Sequence, residues 1–258
     1  MTQYHSPQVG VDELHEELDT TPVHSAARDG RVSDLREILH IDASQGMTLD
    51  KYGLTPLHWA CDRGEAAAVR LLLQYSVDVN AVEKRMFKRR PLHFAVLASS
   101  EATVRELLAH NANLLAQDYR GWAPIHGAAY SGNVDSLALL LDANKSIASQ
   151  LTKKHETALH IAAGRGRIEA VELLLKHCSQ READEGLLAM ENEEGLTAAQ
   201  VAARNKYEDI TPSWGFGQTE FGGGRAQHIF FLANWKTFDA NIALLNEDHV
   251  HEASTLKN

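Results

Sequence analysis

Apolar residues in this chain recur at the spacing of a helix face, in short bursts. In AAAVRLLL, Val69, Leu72 and Leu73 fall at i, i+3 and i+4, and Val171, Leu174 and Leu175 repeat the arrangement far downstream. Such spacing puts one apolar stripe on a helix whose other faces are polar. Ahead of each stripe lies a shorter apolar segment, LHWAC in one case and LHIAA in the other. Pro22, Pro56, Pro91 and Pro124 open these segments, at the first helical position, where proline's fixed φ suits the helix and its missing N–H costs nothing. Thr21, Thr55 and Thr157 sit at the helix starts, where a hydroxyl accepts a bond from an otherwise unpaired N–H. Gly30, Gly64, Gly132 and Gly166 close them, as left-handed helix ends require. The pattern predicts pairs of short helices, the second of each pair packing its stripe inward.

The pairs are copies. TPLHWACDRGEAAAVRLLL from Thr55 returns as TPVHSAARDGRVSDLREIL, RPLHFAVLASSEATVRELL, APIHGAAYSGNVDSLALLL and TALHIAAGRGRIEAVELLL. The shared histidines His24, His58, His93, His126 and His160 stand 34, 35, 33 and 34 residues apart. A fixed period of this size means one supersecondary unit repeated in tandem. The T-P-L-H-x-A-A opening, the mid-repeat glycine and the closing L-L-L resemble the ankyrin repeat over about 21–205. The resemblance implies an all-α solenoid of about six helix-turn-helix units with β-hairpin finger loops between them. It also implies that the motif histidines are structural, bonding the threonine and the backbone of adjacent loops, and that partners sit on a concave face lined by fingers and first helices.

The fingers are where the copies differ. Asp50–Lys51–Tyr52–Gly53 and Asp118–Tyr119–Arg120–Gly121 match the family's D-x-x-G tip. NAVEKRMFKRRP is about two residues longer, lacks the glycine and carries Lys84, Arg85, Lys88, Arg89 and Arg90 around Phe87. LTKKHET puts Lys153, Lys154 and His155 where D-x-x-G is expected. The whole chain has a formal net charge of −10, so positive charge on four successive fingers stands out. Stacked, these tips form a basic, aromatic stripe on an acidic body. The candidate partner-binding residues are Lys51, Tyr52, Lys84, Arg85, Phe87, Lys88, Arg89, Tyr119, Arg120, Trp122, Lys153 and Lys154. Arginine and aromatic residues are the types enriched at interface hot spots, and a cationic stripe suits acidic or phosphorylated groups.

The ends are irregular. Residues 1–20 carry five acids and no Lys or Arg and read as an acidic lead-in, with no basic, apolar leader pattern. Between His160 and Gln200 the step grows to 40 residues, and KHCSQREADEGLLAMENEEG reads as an acidic loop with a short helical turn at Leu187, Leu188 and Met190. A sixth opening, LTAAQVAAR, replaces the motif histidine by Gln200. Residues 206–225 form a Gly- and aromatic-rich loop, 226–246 a capping helix or degenerate repeat, and 247–258 a mobile tail.

Chemistry finds little support. The glycines from Gly215 to Gly224 break the G-x-G-x-x-G spacing at Glu220. His155 and His160 stand at i and i+5, which points their rings apart on a helix and excludes the zinc-protease arrangement. Ser131 and Ser136 have no base beside them in the pattern. No apolar run approaches the roughly 20 residues that cross a bilayer. Two cysteines, Cys61 and Cys178, make no disulfide framework and suit a reducing compartment. The expectation is a non-catalytic adaptor or regulator, monomeric and cytoplasmic, with an additional nuclear location left open. It uses no cofactor or metal, does not insert into membranes, and binds another protein. The alternative is a nucleotide or single-stranded nucleic acid held on the stripe by phosphate contacts and stacking.

Overall fold

The computed structural model describes residues 21–178 and 185–206. The acidic lead-in 1–20, the centre of the acidic loop and everything assigned to 207–258 lie outside the described residues. Within them the helices run in pairs: α1 Pro22–Arg28 with α2 Val32–Ile41, α3 Pro56–Asp62 with α4 Ala66–Gln74, α5 Pro91–Leu97 with α6 Glu101–Ala109, α7 Pro124–Ser131 with α8 Val134–Ala143, and α9 Ala158–Gly164 with α10 Ile168–Cys178. A short α11 covers Glu185–Ala189, where a helical turn is expected in the acidic loop, and α12 Ala198–Lys206 opens the sixth unit.

First helices stack on first helices, α1 on α3, α5, α7, α9 and then α12, and second helices form a parallel layer from α2 to α10. The core lies between the layers. Val69, Leu72, Leu140, Val171 and Leu174 are completely buried there, and each burial of a Val or Leu side chain stabilises by about 1.5–3 kcal/mol. Since every unit covers its stripe only with its neighbours, the fold is a solenoid.

Left-handed backbone closes each first helix. Gly64 has φ 72° there, and in the third unit Ser99 holds the same place at φ 57°. The threonines depart from simple capping. Thr157 Oγ1 accepts the His160 amide, at 3.4 Å, but the shorter contacts are to imidazoles: Thr21, Thr55 and Thr157 Oγ1 lie 2.6, 2.8 and 2.8 Å from Nδ1 of His24, His58 and His160.

The expected β-hairpins are reduced to tight turns. Among the described residues no strand forms; each finger is closed at its base by a backbone bond, such as Asp50 N–H to Leu54 C=O at 2.9 Å, and four of the five have another inside the turn, such as Gly53 N–H to Asp50 C=O at 3.0 Å. Further bonds link each finger to the next: Lys84 N–H to Gly53, Tyr119 N–H to Phe87, Lys153 N–H to Arg120 and Glu193 N–H to Lys154. With two or three residues per arm, the turns are too short to carry a ladder of their own.

Candidate functional site

Two rows run along the stack, and the inner one is made of histidines. Nδ1 of His58, His93, His126 and His160 accepts the amide three residues before it, at 3.0–3.2 Å. That leaves the proton on Nε2, which donates forward into the next unit: His24 to Leu54 C=O, His93 to Trp122, His126 to Gln150 and His160 to Leu196, at 2.9–3.1 Å. His58 Nε2 makes no such bond, and its carbonyl would come from the lengthened finger. Burial pushes His58, His93 and His126 down to about 4, against the smaller opposing pull of backbone carbonyls, and pushes His24 and His160 downward as well. These are neutral staples, as the family resemblance implies.

The outer row is the finger tips. One side chain in each finger turns inward and gathers backbone N–H groups. Asp50 takes Tyr52 and Leu54, Asp118 takes Arg120 and Trp122, and Asn192 takes Glu194 and Leu196, all at 2.8–3.0 Å. The two aberrant fingers do the same with other residues. Thr152 Oγ1 accepts from Lys154 and Glu156, and His155 stands in for glycine at φ 56°. Glu83 reaches three amides, those of Arg85, Met86 and Phe87, and Lys88 takes the left-handed position at φ 56°. The extra carbon of glutamate suits the longer turn, which closes Glu83 to Arg89 where its neighbour closes Asp50 to Leu54. Thus LTKKHET is an ordinary turn in disguise.

Because Asp50, Glu83 and Asp118 are buried, their charges face the backbone and not the tips. Lys51, Lys84, Arg85, Lys88, Tyr119, Arg120, Lys153 and Lys154 are exposed on four fingers that are bonded edge to edge. Lys84, Arg85, Lys88 and Lys153 have no acidic partner among the described residues. The fifth tip reverses sign, with Glu193 and Glu194 exposed. The stripe therefore ends after four fingers.

Four candidate residues do not behave as open tips. Arg89 is buried, 3.7 Å from Asp118, with its guanidinium 4.8 Å from the Phe87 ring centre. Burial draws it below its ordinary range while Asp118 opposes the shift. It sits at the base of its finger, so packing between units uses it as structure. Phe87 is half-buried against Tyr119, centroids 5.2 Å apart, with Arg120 also near. Trp122 is half-buried on Tyr130 at 5.5 Å. Tyr52 is half-buried beside Lys51. Of the four aromatic candidates, Tyr119 alone is exposed.

The sequence pattern did not reveal the role of Glu83, although an acid at the D position of the longest finger is a readable sign. Nor did it reveal a shallow hollow of about 10 Å³, room for roughly one water, between α5 and α7. The sign there is Gly127, which follows the motif histidine where other units carry Trp59, Phe94 and Ile161.

Comparison with known proteins agrees with this geometry. Family models described as ankyrin repeats match residues 4–83 and, in overlapping segments 92–141 and 125–175, most of the rest of the stack. The B-cell lymphoma 3 protein homolog of Mus musculus is 28% identical over 190 residues, covering 72% of this chain and 41% of the relative. Palmitoyltransferase ZDHHC17 of Danio rerio is 31% identical over 170 residues, 53% of this chain and 27% of that one. Neurogenic locus notch homolog protein 1 of Xenopus laevis is 33% identical over 157 residues, 58% and 6% respectively. The chain spans less than half the length of each of these relatives. With five in-phase units, the staple histidines and these matches, the chain belongs to the ankyrin repeat proteins.

Proposed function

We propose that this chain is a non-catalytic adaptor or regulator that holds an extended acidic or phosphorylated segment of a partner protein along its first four finger tips. Ankyrin repeats are protein-interaction modules, and the finer reading rests on one observation. The tip cations are exposed and stacked by finger-to-finger bonds, while the acids of the same three fingers are turned inward onto backbone amides. Charge of one sign therefore faces outward along the row, and a cationic stripe accelerates encounter with an acidic chain. A single-stranded nucleic acid on the same stripe needs aromatic faces open for stacking. Phe87 and Trp122 already engage Arg89, Tyr119 and Tyr130, which favours the protein reading. The reading carries with it a reducing compartment, cytoplasm or nucleus, in keeping with the buried free thiol of Cys61.

The test is fluorescence anisotropy with a labelled peptide of alternating Glu and Ser, against the wild type and the triple variant K84E/R85E/K88E. Wild type should bind, more weakly as salt rises, and the variant should bind at least tenfold more weakly. Equal binding by both would overturn the reading.

A further inference from the structure

Exposed apolar residues are concentrated where the cations are. Among the described residues seven large apolar side chains are exposed, and all but Ile41 lie in the loops that lead into or form the first three fingers. Single exposed apolar residues need no explanation, but a cluster of them marks a binding surface. Leu49 and Val82 hold the same place in successive units, directly before Asp50 and Glu83. Successive side chains of an extended backbone face opposite ways, so where those acids turn inward Leu49 and Val82 turn out, 40% and 39% exposed. Equivalent places of this kind adjoin: Gln117, before Asp118, donates from Nε2 to the C=O of Leu151, before Thr152, at 2.9 Å. The fold does not demand an apolar side chain there, because the third and fifth units carry exposed Gln117 and Glu191. Met86, exposed between Arg85 and Phe87 in the lengthened turn, adds to the second finger.

We propose that Leu49, Val82 and Met86 form an apolar ledge beside the cationic tips, and that the partner segment held there carries large apolar residues interleaved with its acids. The inference rests on the proposed function and narrows it. The occupant follows from charge complementarity: Lys84, Arg85 and Lys88, which flank Val82 and Met86 along the chain, are exposed with no acidic partner among the described residues. A wholly apolar segment would leave these cations unmatched, and a wholly acidic one would leave the ledge in water. The stack sets the spacing. Packed helices such as α3 and α5 lie roughly 8–10 Å apart and an extended chain advances about 3.3 Å per residue, so anchors on Leu49 and Val82 fall about three residues apart in the segment. Tip charge speeds encounter but discriminates little among acidic sequences, whereas apolar anchors slow release.

Three labelled peptides of equal length and equal Glu content test this on the full chain: one otherwise Ser, one with two serines replaced by Leu three positions apart, and one with the two Leu adjacent. The spaced-Leu peptide should bind about tenfold more tightly than the Glu/Ser peptide, through slower dissociation and with the same salt dependence. The adjacent pair, pointing to opposite sides of an extended chain, should gain less. L49S/V82S/M86S should abolish the gain and leave Glu/Ser binding unchanged, which also reports that the variant is folded. Val82→Ser alone, a smaller change, should lose part of the gain, and Ile41→Ser, at the exposed end of α2, should lose none. Equal affinity of wild type for the spaced-Leu and Glu/Ser peptides, or for the spaced and adjacent pairs, would overturn the ledge and leave the finger reading standing. A gain that survives both ledge variants would also overturn it, by moving the anchors elsewhere. A wild-type dimer in sedimentation that the triple variant loses would overturn it by giving the ledge to a second copy of the chain. Failure of every peptide to bind would overturn the finger reading, and this inference with it.

Discussion

The histidine row and the finger row share one period and do opposite work. Every ring of the inner row is buried and neutral, and in four of the five described units it binds forward to the next unit. Along the outer row the residues change from unit to unit and face water. A position that must bond its neighbour in every unit can take only one residue type. A tip whose turn is held by a separate buried acceptor is released from that duty. The acceptor itself varies, Asp50, Glu83, Asp118, Thr152 and Asn192, because any side chain with an oxygen at the right reach satisfies the same amides. In this chain, constancy marks what holds the stack together, and variability marks the surface that the proposed function assigns to recognition.

Acid should break the inner row first, with the largest effect. His58, His93 and His126 are held near 4 in the fold, whereas an unfolded imidazole sits near 6.5. Between those values the unfolded chain binds more protons, so stability is complete above about pH 6.5 and falls by about 1.4 kcal/mol per pH unit for each histidine as pH drops toward 4. Denaturant titrations from pH 7.5 to 4.5 should show the three acting together, a loss of several kcal/mol. His93→Gln should flatten the slope by one proton's share. A slope of zero over this range would mean that these rings are not buried neutral staples.

Arg89→Glu comes next. Arg89 belongs to the finger by sequence but to the inner row by environment, since its side chain and that of Asp118 are 10% and 2% exposed. Reversing it buries two carboxylates together, at a cost of about 3–5 kcal/mol by the measure of broken buried pairs. Thermal unfolding of the variant should show a large drop, and an unchanged melting temperature would return Arg89 to the surface stripe.

Arg89 also marks how far the sequence could be read. Helix pairs, the period, the proline and glycine punctuation and the fully buried Val69, Leu72, Val171 and Leu174 were all legible, because each follows from spacing and backbone chemistry alone. The tips were legible as charged. Which of five adjacent cations turned inward was not, because that depends on Asp118 in the next unit, about thirty positions on. The hollow was hidden for the same reason. Gly127 could be seen in the sequence, but its neighbours Val96 and Leu97 belong to the preceding unit.

Two smaller changes probe the turns. Ser99 and His155 hold left-handed backbone at φ 57° and 56°, where side chains strain against their own carbonyls. Replacing either by glycine should stabilise by about 0.5–1 kcal/mol, the release of that strain less the added freedom of the unfolded chain. Chemical denaturation of Ser99→Gly and His155→Gly would show raised midpoints at constant slope. A lowered midpoint would mean that the side chains contribute more than their backbone costs.

Lys88→Glu should have the smallest effect on stability, and set beside Arg89→Glu it gives the sharpest form of the comparison. The two residues are neighbours in sequence with the same charge. Lys88 is exposed with no acidic partner among the described residues, and its φ of 56° is set by the turn whichever side chain it carries. Its reversal should therefore stay within about 0.5 kcal/mol of wild type. Binding of the acidic Glu/Ser peptide should nevertheless weaken, mainly through slower association at low salt, because removing one tip cation and adding an anion lowers the local potential. Calorimetry and stopped-flow kinetics on the same pair of variants would separate the roles. Arg89→Glu loses stability, whereas Lys88→Glu keeps its stability and loses association rate. If Lys88→Glu associated with the peptide as fast as wild type does, the outer row would be ordinary solvated surface, and the partner would have to be sought on another face of the stack.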